Sequence, residues 1–230
     1  MAQVFSSKLS RRQDVAGIKV QGVDILLSLF ADDTDIFLQA TSQCVDAVVQ
    51  ELNEFGVHSG CKANVSKTRC TPLGKTKSNS SLINCITEKY GEEFIQNSFT
   101  VLGVYFCNDK SIAEIVHNNY SSKIEKAKNW INIWSKRDLT LLGKVTIIKS
   151  LILSQFTYLA IPLPRPNKEL IARLNTLIFH FLWGCKRDKV KRDVITRSRE
   201  EGGLGLIYPY DFILSLKLTL LNKLLDENHS

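Results

Sequence analysis

The sequence predicts an α+β protein, with short strands in the first half of the chain and helices in the second. Before residue 110, apolar and β-branched residues form short runs such as "VDILLSLF" (23–30) and "TDIFLQ" (34–39), which are typical of strands. Beyond residue 111, apolar residues recur at intervals of three and four, which is typical of amphipathic helices. The 230 residues are 44% hydrophobic, so the chain can bury a core.

The two runs at 23–30 and 34–39 are separated by only three residues and predict a β-hairpin with Ala31, Asp32 and Asp33 at its bend. Adjacent aspartates at such a bend allow two interpretations. They can cap their own backbone in an Asx-type turn. They can also form a hard-oxygen site for a cation such as Mg²⁺, which relieves the repulsion between two like charges.

The remainder of the first half is predicted as one helix, loops and further strands. Valine, leucine and phenylalanine recur with helical spacing over 42–55, with Ser42 as the expected N-cap. Residues 56–68 are interpreted as a loop and a short strand, and 75–84 as a polar surface loop. The run "FTVLGVYF" (99–106) is interpreted as a single apolar strand.

Three long helices and a final apolar helix are predicted in the second half. The first carries Ile124, Ala127, Ile131 and Trp134 at helical spacing, and the second spans the apolar positions of 140–159. A third begins after the expected cap Asn167 and ends at Gly184. The remaining features are a basic segment (186–199), a flexible glycine turn (201–206) and the final helix (211–225).

Charge is distributed unevenly along the chain. The net charge is +7, but residues 1–120 carry 11 Lys and Arg against 13 Asp and Glu, whereas residues 121–230 carry 19 against 10, a balance of +9. A basic half favours a polyanionic partner such as nucleic acid, although a charge run can also be only solvated surface. The candidate phosphate-binding cations are Lys123, Lys126, Lys144, Lys149, Lys186, Arg187, Lys191 and Arg192. Trp130 and Trp134 could stack on bases, but the amphipathic pattern favours packing within the bundle.

Cysteine spacing and hydropathy exclude several classes of protein. The six cysteines form no CxxC pair and no zinc-ligand pattern, so we interpret them as reduced thiols. The longest uncharged stretch, 150–164, is too short to span a bilayer, and the first residues lack the apolar core of a signal peptide. We therefore expect an intracellular protein of the cytoplasm or nucleus that has no membrane partner.

Five segments, in one order over about residues 10–225, resemble reverse transcriptases of non-LTR retrotransposons. Phe30-Ala31-Asp32-Asp33 is similar to the aromatic-X-Asp-Asp catalytic motif, "SGCKANVSKT" (59–68) to the next palm motif, and "FTVLGVYF" to the Leu-Gly strand of the primer grip. Residues 134–159 resemble the thumb segment of that family. "FHFLWG" (179–184) and "GGLGL" (202–206) resemble its downstream region.

The resemblance implies a partial polymerase palm over 1–110, a helical thumb-like bundle over 111–184, and a tail of basic segment, glycine turn and helix over 185–230. It implies an RNA-directed DNA polymerase that uses Mg²⁺ or Mn²⁺ and deoxynucleoside triphosphates on an RNA template with a DNA primer. Asp32 would be the principal metal ligand and Asp33 its weaker partner. Lys67 matches the lysine proposed to protonate the leaving pyrophosphate, although a lysine at this position can also be merely solvated.

The sequence departs from the family before the hairpin. Only about thirty residues precede Asp32, so the upstream Asp strand, the fingers and the endonuclease domain have no counterpart here, and we expect the chain to begin inside an ancestral reading frame. Two-metal polymerisation needs ligands from both strands. Asp24 and Asp35 lie along the hairpin strands and are not expected to substitute. We therefore predict that the chain alone is inactive, with a non-catalytic nucleic-acid-binding protein and an inert remnant as the alternatives.

Overall fold

The computed structural model describes residues 2–30, 33–60, 67–184 and 187–227. The chain divides into two compact units, Met1–Asp109 and Lys110–Ser230. The first unit contains both strands and helices, whereas the described residues of the second form only helices and their connections. The predicted α+β class is confirmed at this level, as a mixture of helices and small antiparallel hairpins.

The described residues of the first unit form three α-helices and three antiparallel hairpins. The helices are α1 (Ala2–Arg11), α2 (Ser42–Ser59) and α3 (Ser80–Tyr90). The strands are β1 (Ile18–Val20), β2 (Val23–Ile25), β3 (Leu27–Phe30), β4 (Asp33–Ile36), β5 (Ser98–Val101) and β6 (Val104–Cys107). Strand β1 pairs with β2, β3 with β4, and β5 with β6.

The predicted hairpin after residue 23 exists, but its first strand is divided between two hairpins. Val23–Ile25 pairs with β1, whereas Leu27–Phe30 pairs with β4. The β1–β2 turn places Gln21 at φ 50° and Gly22 at φ 85°, as a two-residue turn with two left-handed positions requires. Glutamine is not a typical residue at the first of these positions, so the sequence did not signal this turn.

The prediction of one strand over 99–106 is wrong, because the segment folds back on itself. Leu102 and Gly103 have φ values of 48° and 78°, and Val101 pairs with Val104 across this turn. A leucine with positive φ is uncommon, and this is why the apolar pattern was interpreted as continuous.

Three further predictions in this unit are corrected. Helix α2 runs to Ser59 instead of residue 55, and its N-cap is Thr41, whose hydroxyl accepts the N–H of Cys44 at 3.2 Å, instead of Ser42. The predicted loop over 75–84 is instead helical: a 3₁₀ turn, Gly74–Ser78, is followed by the start of α3 at Ser80, and the side chain of Asn79 caps α3. Helix α1 was not predicted at all.

The core of the first unit lies between α1, α2 and the β3–β4 hairpin. Leu9 and Val48 are buried in it, and the rings of Phe5 and Phe55 meet edge to face with centroids 5.6 Å apart. Leu27 and Ile36, which are cross-strand neighbours, pack against the same core. This contact anchors one face of the hairpin and leaves its other face for Asp33 and Asp35.

The second unit is built from one long helix with a buried face and several shorter helical segments. Its described helices are α4 (Ile112–Trp134), α5 (Leu141–Ile147), α6 (Thr157–Ala160), α7 (Lys168–Trp183), α8 (Arg192–Thr196) and α9 (Pro209–Glu227). Between α5 and α6 the chain continues as a π-helical segment, Ile148–Ile152, and a 3₁₀ turn, Leu153–Phe156. The predicted helix over 140–159 is therefore a helical run of changing pitch.

Strong caps define α4 and α7 where the sequence predicted them. Ser111 and Glu114 form a capping box at the start of α4. Asn167 caps α7 through the N–H of Leu170 at 2.9 Å, and Gly184 ends it at φ 61°. The buried faces of α4 and α7 meet the run between them, where Tyr120 stacks on Phe156.

The segment 201–206, predicted as a flexible glycine turn, is instead hydrogen-bonded to the end of α8. The N–H groups of Leu204 and Leu206 both donate to the carbonyl of Ile195, at 3.0 and 3.2 Å, and that of Gly203 donates to Ser198 at 2.8 Å. Leu206 and Ile195 are both buried. Within the described ranges, no helix combines the length and apolar character that crossing a membrane requires.

Candidate functional site

The β3–β4 hairpin places Asp33 at its end, directly opposite Phe30. In the register of this hairpin Phe30 pairs with Asp33 and Ser28 with Asp35. Because side chains alternate along a strand, Asp33 and Asp35 project from the same face. Phe30 is 61% exposed, so the end of the hairpin is not covered by the core. Ala31 and Asp32, the remaining residues of the predicted motif, lie outside the described residues.

The ionisation of Asp35 reflects this geometry. Partial burial raises the pKa of the Asp35 carboxyl above its ordinary value, and the negative charge of Asp33 raises it further. Two carboxylates on one face are a suitable oxygen donor set for a hard divalent cation. The structure thus places Asp35, which was not expected to contribute a ligand, on the same face of β4 as Asp33.

Asp33 and Lys67 both line a cleft of about 1470 Å³ within the first unit. Its lining includes both carboxylates, Asp33 and Asp35, and the cations Lys67 and Arg69. The lysine side chain is exposed, so its ammonium group is in contact with solvent. Positive and negative groups around one open cleft can bind a ligand that carries both a metal ion and phosphate.

The strand immediately before the hairpin does not add a carboxylate to this face. Asp24 on β2 is cross-strand neighbour to Lys19, their charged atoms are 4.0 Å apart, and its side chain is 70% exposed. Within the described ranges, no group of three or more His, Cys, Asp or Glu side chains is placed to hold a metal ion. The described donors at the end of the hairpin are the two carboxylates of Asp33 and Asp35.

The predicted cations of the second unit lie in different environments. Lys126 on α4 and Lys149 in the π-helical segment are exposed, and Lys123 is half-buried. Arg187 and Lys191 are exposed before α8, and Lys186 lies outside the described residues. Lys126, Lys149, Arg187 and Lys191 could contact phosphate without breaking an ion pair, since none of these four forms one within the described residues.

Two of the predicted cations already bind other parts of the second unit. Lys144 donates to the carbonyl of Leu182 at 3.2 Å in the last turn of α7, where a cation also stabilises the negative end of the helix dipole. Arg192 donates to Asp188 at 2.8 Å, and its guanidinium lies 4.0 Å from the ring centroid of Phe179. These contacts give both residues a role in the structure of the helical unit.

The two tryptophans of α4 differ in environment. Trp134 is half-buried, its indole N–H is buried, and the guanidinium of Arg137 lies 4.8 Å from its ring centroid. Trp130 is 41% exposed. The expectation that both pack inside the bundle is therefore wrong for Trp130, because its position on the helix lies beside the buried face and not on it.

Sequence reasoning missed Asp35 and Arg69 as members of the cleft. The alternation of side chains along β4 could have found Asp35, since residues 33 and 35 of one strand share a face. Nothing comparable pointed to Arg69, which reaches the cleft only through the fold of 67–73. No protein-family model matches the sequence, so the site is interpreted from its residues and geometry.

Proposed function

We propose that this chain corresponds to the partial palm and the thumb of a non-LTR retrotransposon reverse transcriptase. The observation that carries the proposal is the β3–β4 hairpin, in which Phe30 lies opposite Asp33 at the end that bears the aromatic-X-Asp-Asp motif. Within the described residues, two α-helices, one further hairpin and then the helical unit follow this hairpin in chain order. This order agrees with the order of the five segments that resemble the family.

The metal of this proposal is Mg²⁺ or Mn²⁺, bound at the end of the hairpin. Asp33 supports it directly, because its carboxylate shares a face with that of Asp35 and raises the pKa of that group. Asp32 is the principal ligand implied by the family motif. When bound, the ion would stabilise negative charge on a nucleotide triphosphate. With so few charged ligands, affinity is expected to be on the order of millimolar.

Lys67 is proposed to act on phosphate in the same cleft. Its exposed ammonium group lines the cleft with Asp33, where it can donate a hydrogen bond or a proton to a phosphate oxygen. In the family that the chain resembles, the corresponding lysine serves the leaving pyrophosphate. Arg69 supplies a second positive charge to the same lining.

The helical unit is proposed to hold an RNA template paired with a DNA primer. Residues 121–230 carry the balance of +9, and exposed cations lie on α4, in the π-helical segment and before α8. Contacts of this kind are made to phosphate and position a duplex without reading its sequence. Binding is therefore expected to be general for nucleic acid and sensitive to salt.

We expect the chain alone not to extend a primer. Two-metal polymerisation needs carboxylates from two strands, and the strand before the hairpin offers only Asp24, which faces solvent beside Lys19. The test is extension of oligo(dT) on poly(rA) with deoxynucleoside triphosphate and Mg²⁺ or Mn²⁺. Synthesis that Asp32→Ala abolishes would overturn the predicted inactivity and support the metal site, whereas Asp24→Asn serves as the control that leaves any activity unchanged.

A second candidate is a non-catalytic nucleic-acid-binding protein derived from the same ancestor. The exposure of Lys126, Lys149 and Lys191 favours it, because these cations do not depend on the hairpin carboxylates. The two candidates differ in their response to metal. If Mn²⁺ leaves residues 30–35 unperturbed while an RNA–DNA hybrid still binds, the second candidate replaces the first.

A further inference from the structure

A stripe of cations and apolar side chains runs along α4 and into the turn after it, and its members are exposed except Lys123, which is half-buried. The stripe consists of Lys123, Lys126, Trp130, Ile133 and Arg137, spaced three, four, three and four residues apart. From Lys123 to Ile133 this spacing keeps side chains on one face of the helix, and Arg137 lies in the turn three residues beyond the last helical residue, Trp134. Trp130 and Ile133 are 41% and 52% exposed, although both are large apolar residues.

The acidic residues of α4 lie away from this stripe. Glu114 is bound in the capping box with Ser111. Glu125 is paired with Lys128 at 3.9 Å and with Arg173 of α7 at 3.2 Å, so it belongs to the side of α4 that meets α7. The stripe therefore presents positive charge that no carboxylate of its own helix neutralises.

The rings of Trp130 and Trp134 differ in exposure, since Trp130 is exposed and Trp134 is half-buried. Arg137 lies over the ring of Trp134, whereas within the described residues neither a ring nor a cation lies over Trp130. Lys126 and Lys123 precede Trp130 by about one and two helical turns, roughly 6 and 10 Å along the axis. Neither lysine forms an ion pair within the described residues. A partly exposed indole ring beside two lysines that form no ion pair within the described residues can stack on one base while the lysines contact the flanking phosphates.

We propose that this stripe binds single-stranded nucleic acid, with an unpaired base stacked on the indole of Trp130. Base pairs of a duplex present their edges and not their faces, so stacking on a protein ring requires an unpaired base. The stripe thus selects the single-stranded part of a nucleic acid, beyond the phosphate contacts that the helical unit makes with any strand. This inference rests on the proposed nucleic-acid binding and adds a strand preference to it.

The test measures binding of the full chain to a labelled oligo(dT) of about 20 nucleotides and to a duplex of equal length, over a series of salt concentrations. Trp130→Leu keeps an apolar side chain but removes the aromatic face, and is expected to weaken oligo(dT) binding by about tenfold. Its salt dependence should not change, because no phosphate contact is lost. Duplex affinity should change by less than about twofold.

Three controls separate stacking from charge and folding. Trp130→Phe keeps an aromatic face and should restore most of the affinity for oligo(dT). Trp134→Phe changes the covered ring on the same helix and should leave binding unaltered. Lys126→Ala should instead reduce the slope of log affinity against log salt by about 0.7, one single-strand phosphate contact. Circular dichroism and thermal unfolding confirm that each variant is folded.

Two results would overturn the stacking role while leaving nucleic-acid binding intact. Trp130→Leu could bind oligo(dT) as tightly as the wild type, or it could lose the same amount of affinity for oligo(dT) and for the duplex. If the unaltered chain binds neither ligand at low salt, the proposed nucleic-acid binding fails as well. Binding to vesicles of anionic phospholipid that depends on Trp130, with no binding to oligo(dT), would assign the stripe to a membrane surface and overturn the inference.

Discussion

At the hairpin end, the carboxylates of Asp33 and Asp35 share a face, and the negative charge of the first raises the pKa of the second. Such a pair costs stability unless a cation is bound, because burial and the charge of Asp33 both disfavour the ionised form of Asp35. The other face of the same hairpin packs on the core through Leu27 and Ile36. That anchoring holds two like charges side by side.

A paramagnetic ion should therefore bind at the end of the β3–β4 hairpin. We expect Mn²⁺ to broaden NMR signals of residues 30–35 at low concentration, with affinity on the order of millimolar. Asp33→Asn should weaken the effect severalfold, whereas Asp24→Asn, on the neighbouring hairpin, should leave it unchanged. Broadening centred on any other segment would contradict the assignment.

Replacement of Asp35 by asparagine should stabilise the fold at neutral pH. The folded-state pKa of Asp35 is raised, so the stability contributed by its protonated form is fully present below the ordinary value of about 3.9 and is lost as pH rises through the raised value. Asp35→Asn removes that loss. Urea unfolding at pH 7 should show a higher free energy of unfolding for the variant, with the difference shrinking below about pH 4.

The background variant Asp33→Asn provides the matched control, because part of the raised pKa comes from the charge of Asp33. The gain from Asp35→Asn should be smaller in that background. A gain that is independent of pH, or a loss of stability at pH 7, would show that Asp35 makes a stabilising contact as the carboxylate.

At the scale of single elements, the glycine segment after α8 depends on close backbone approach. A Cβ atom at Gly203 would lie 2.7 Å from the carbonyl oxygen of Val194 and would also contact the carbonyl of Arg197. Both neighbours are backbone carbonyls of residues 194–198. Carbonyls of this same stretch accept the N–H groups of Gly203 and Leu204. The segment therefore cannot move away without breaking its hydrogen bonds.

Gly203→Ala should lower the free energy of unfolding by about 2 kcal/mol or more, since the added methyl group forces the backbone apart. Gly143→Ala is the matched control within the same unit. A Cβ there meets Thr140 Oγ1 at 3.4 Å, an ordinary contact, and alanine favours the helix α5 by about 0.5–1 kcal/mol. Thermal unfolding of the two variants should shift in opposite directions. Equal shifts would mean that the segment adapts to a side chain.

At the scale of the whole molecule, the uneven charge favours metal binding in the first half of the chain and nucleic-acid binding in the second. Residues 1–120 carry the hairpin carboxylates and a balance of −2, whereas 121–230 carry +9. Nucleic-acid binding is thus expected to depend on the helical unit. Arg192 is excluded from a charge-reversal test, because its ring contact with Phe179 would be lost together with its charge.

Log affinity of the full chain for an RNA–DNA hybrid should fall with log salt at a slope of about −3 to −5, as for four to six phosphate contacts. Charge reversal at Lys126, Lys149, Arg187 and Lys191 should flatten this slope by several units. The same number of reversals in the first unit, at the exposed residues Lys8, Arg11, Lys19 and Lys75, should have a smaller effect. If the two sets of charge reversals change the slope equally, the basic half of the chain is an ordinary solvated surface and not a binding site.

Local signals allowed much of the helical unit to be predicted. Asn167 and Gly184 bound α7 where the sequence indicated, because caps and helical spacing are properties of neighbouring residues. The hairpins were less predictable. Leu102 at φ 48° and Gln21 at φ 50° occupy turn positions that usually carry asparagine or glycine, so nothing in the residue types marked the reversals.

The sequence by itself determined the mixed class, the cap and the end of α7, the uneven charge and the position of Asp33 near the end of a hairpin, since each follows from residue types and their spacing along the chain. Only the tertiary structure decided that Asp35 shares a face with Asp33, that Lys67 lines the same cleft, that Lys144 binds the end of α7, and that Trp130 stays exposed. The reason is physical. A side chain's partners are set by strand register and helix packing, which bring together residues far apart in sequence, and no local pattern contains that information.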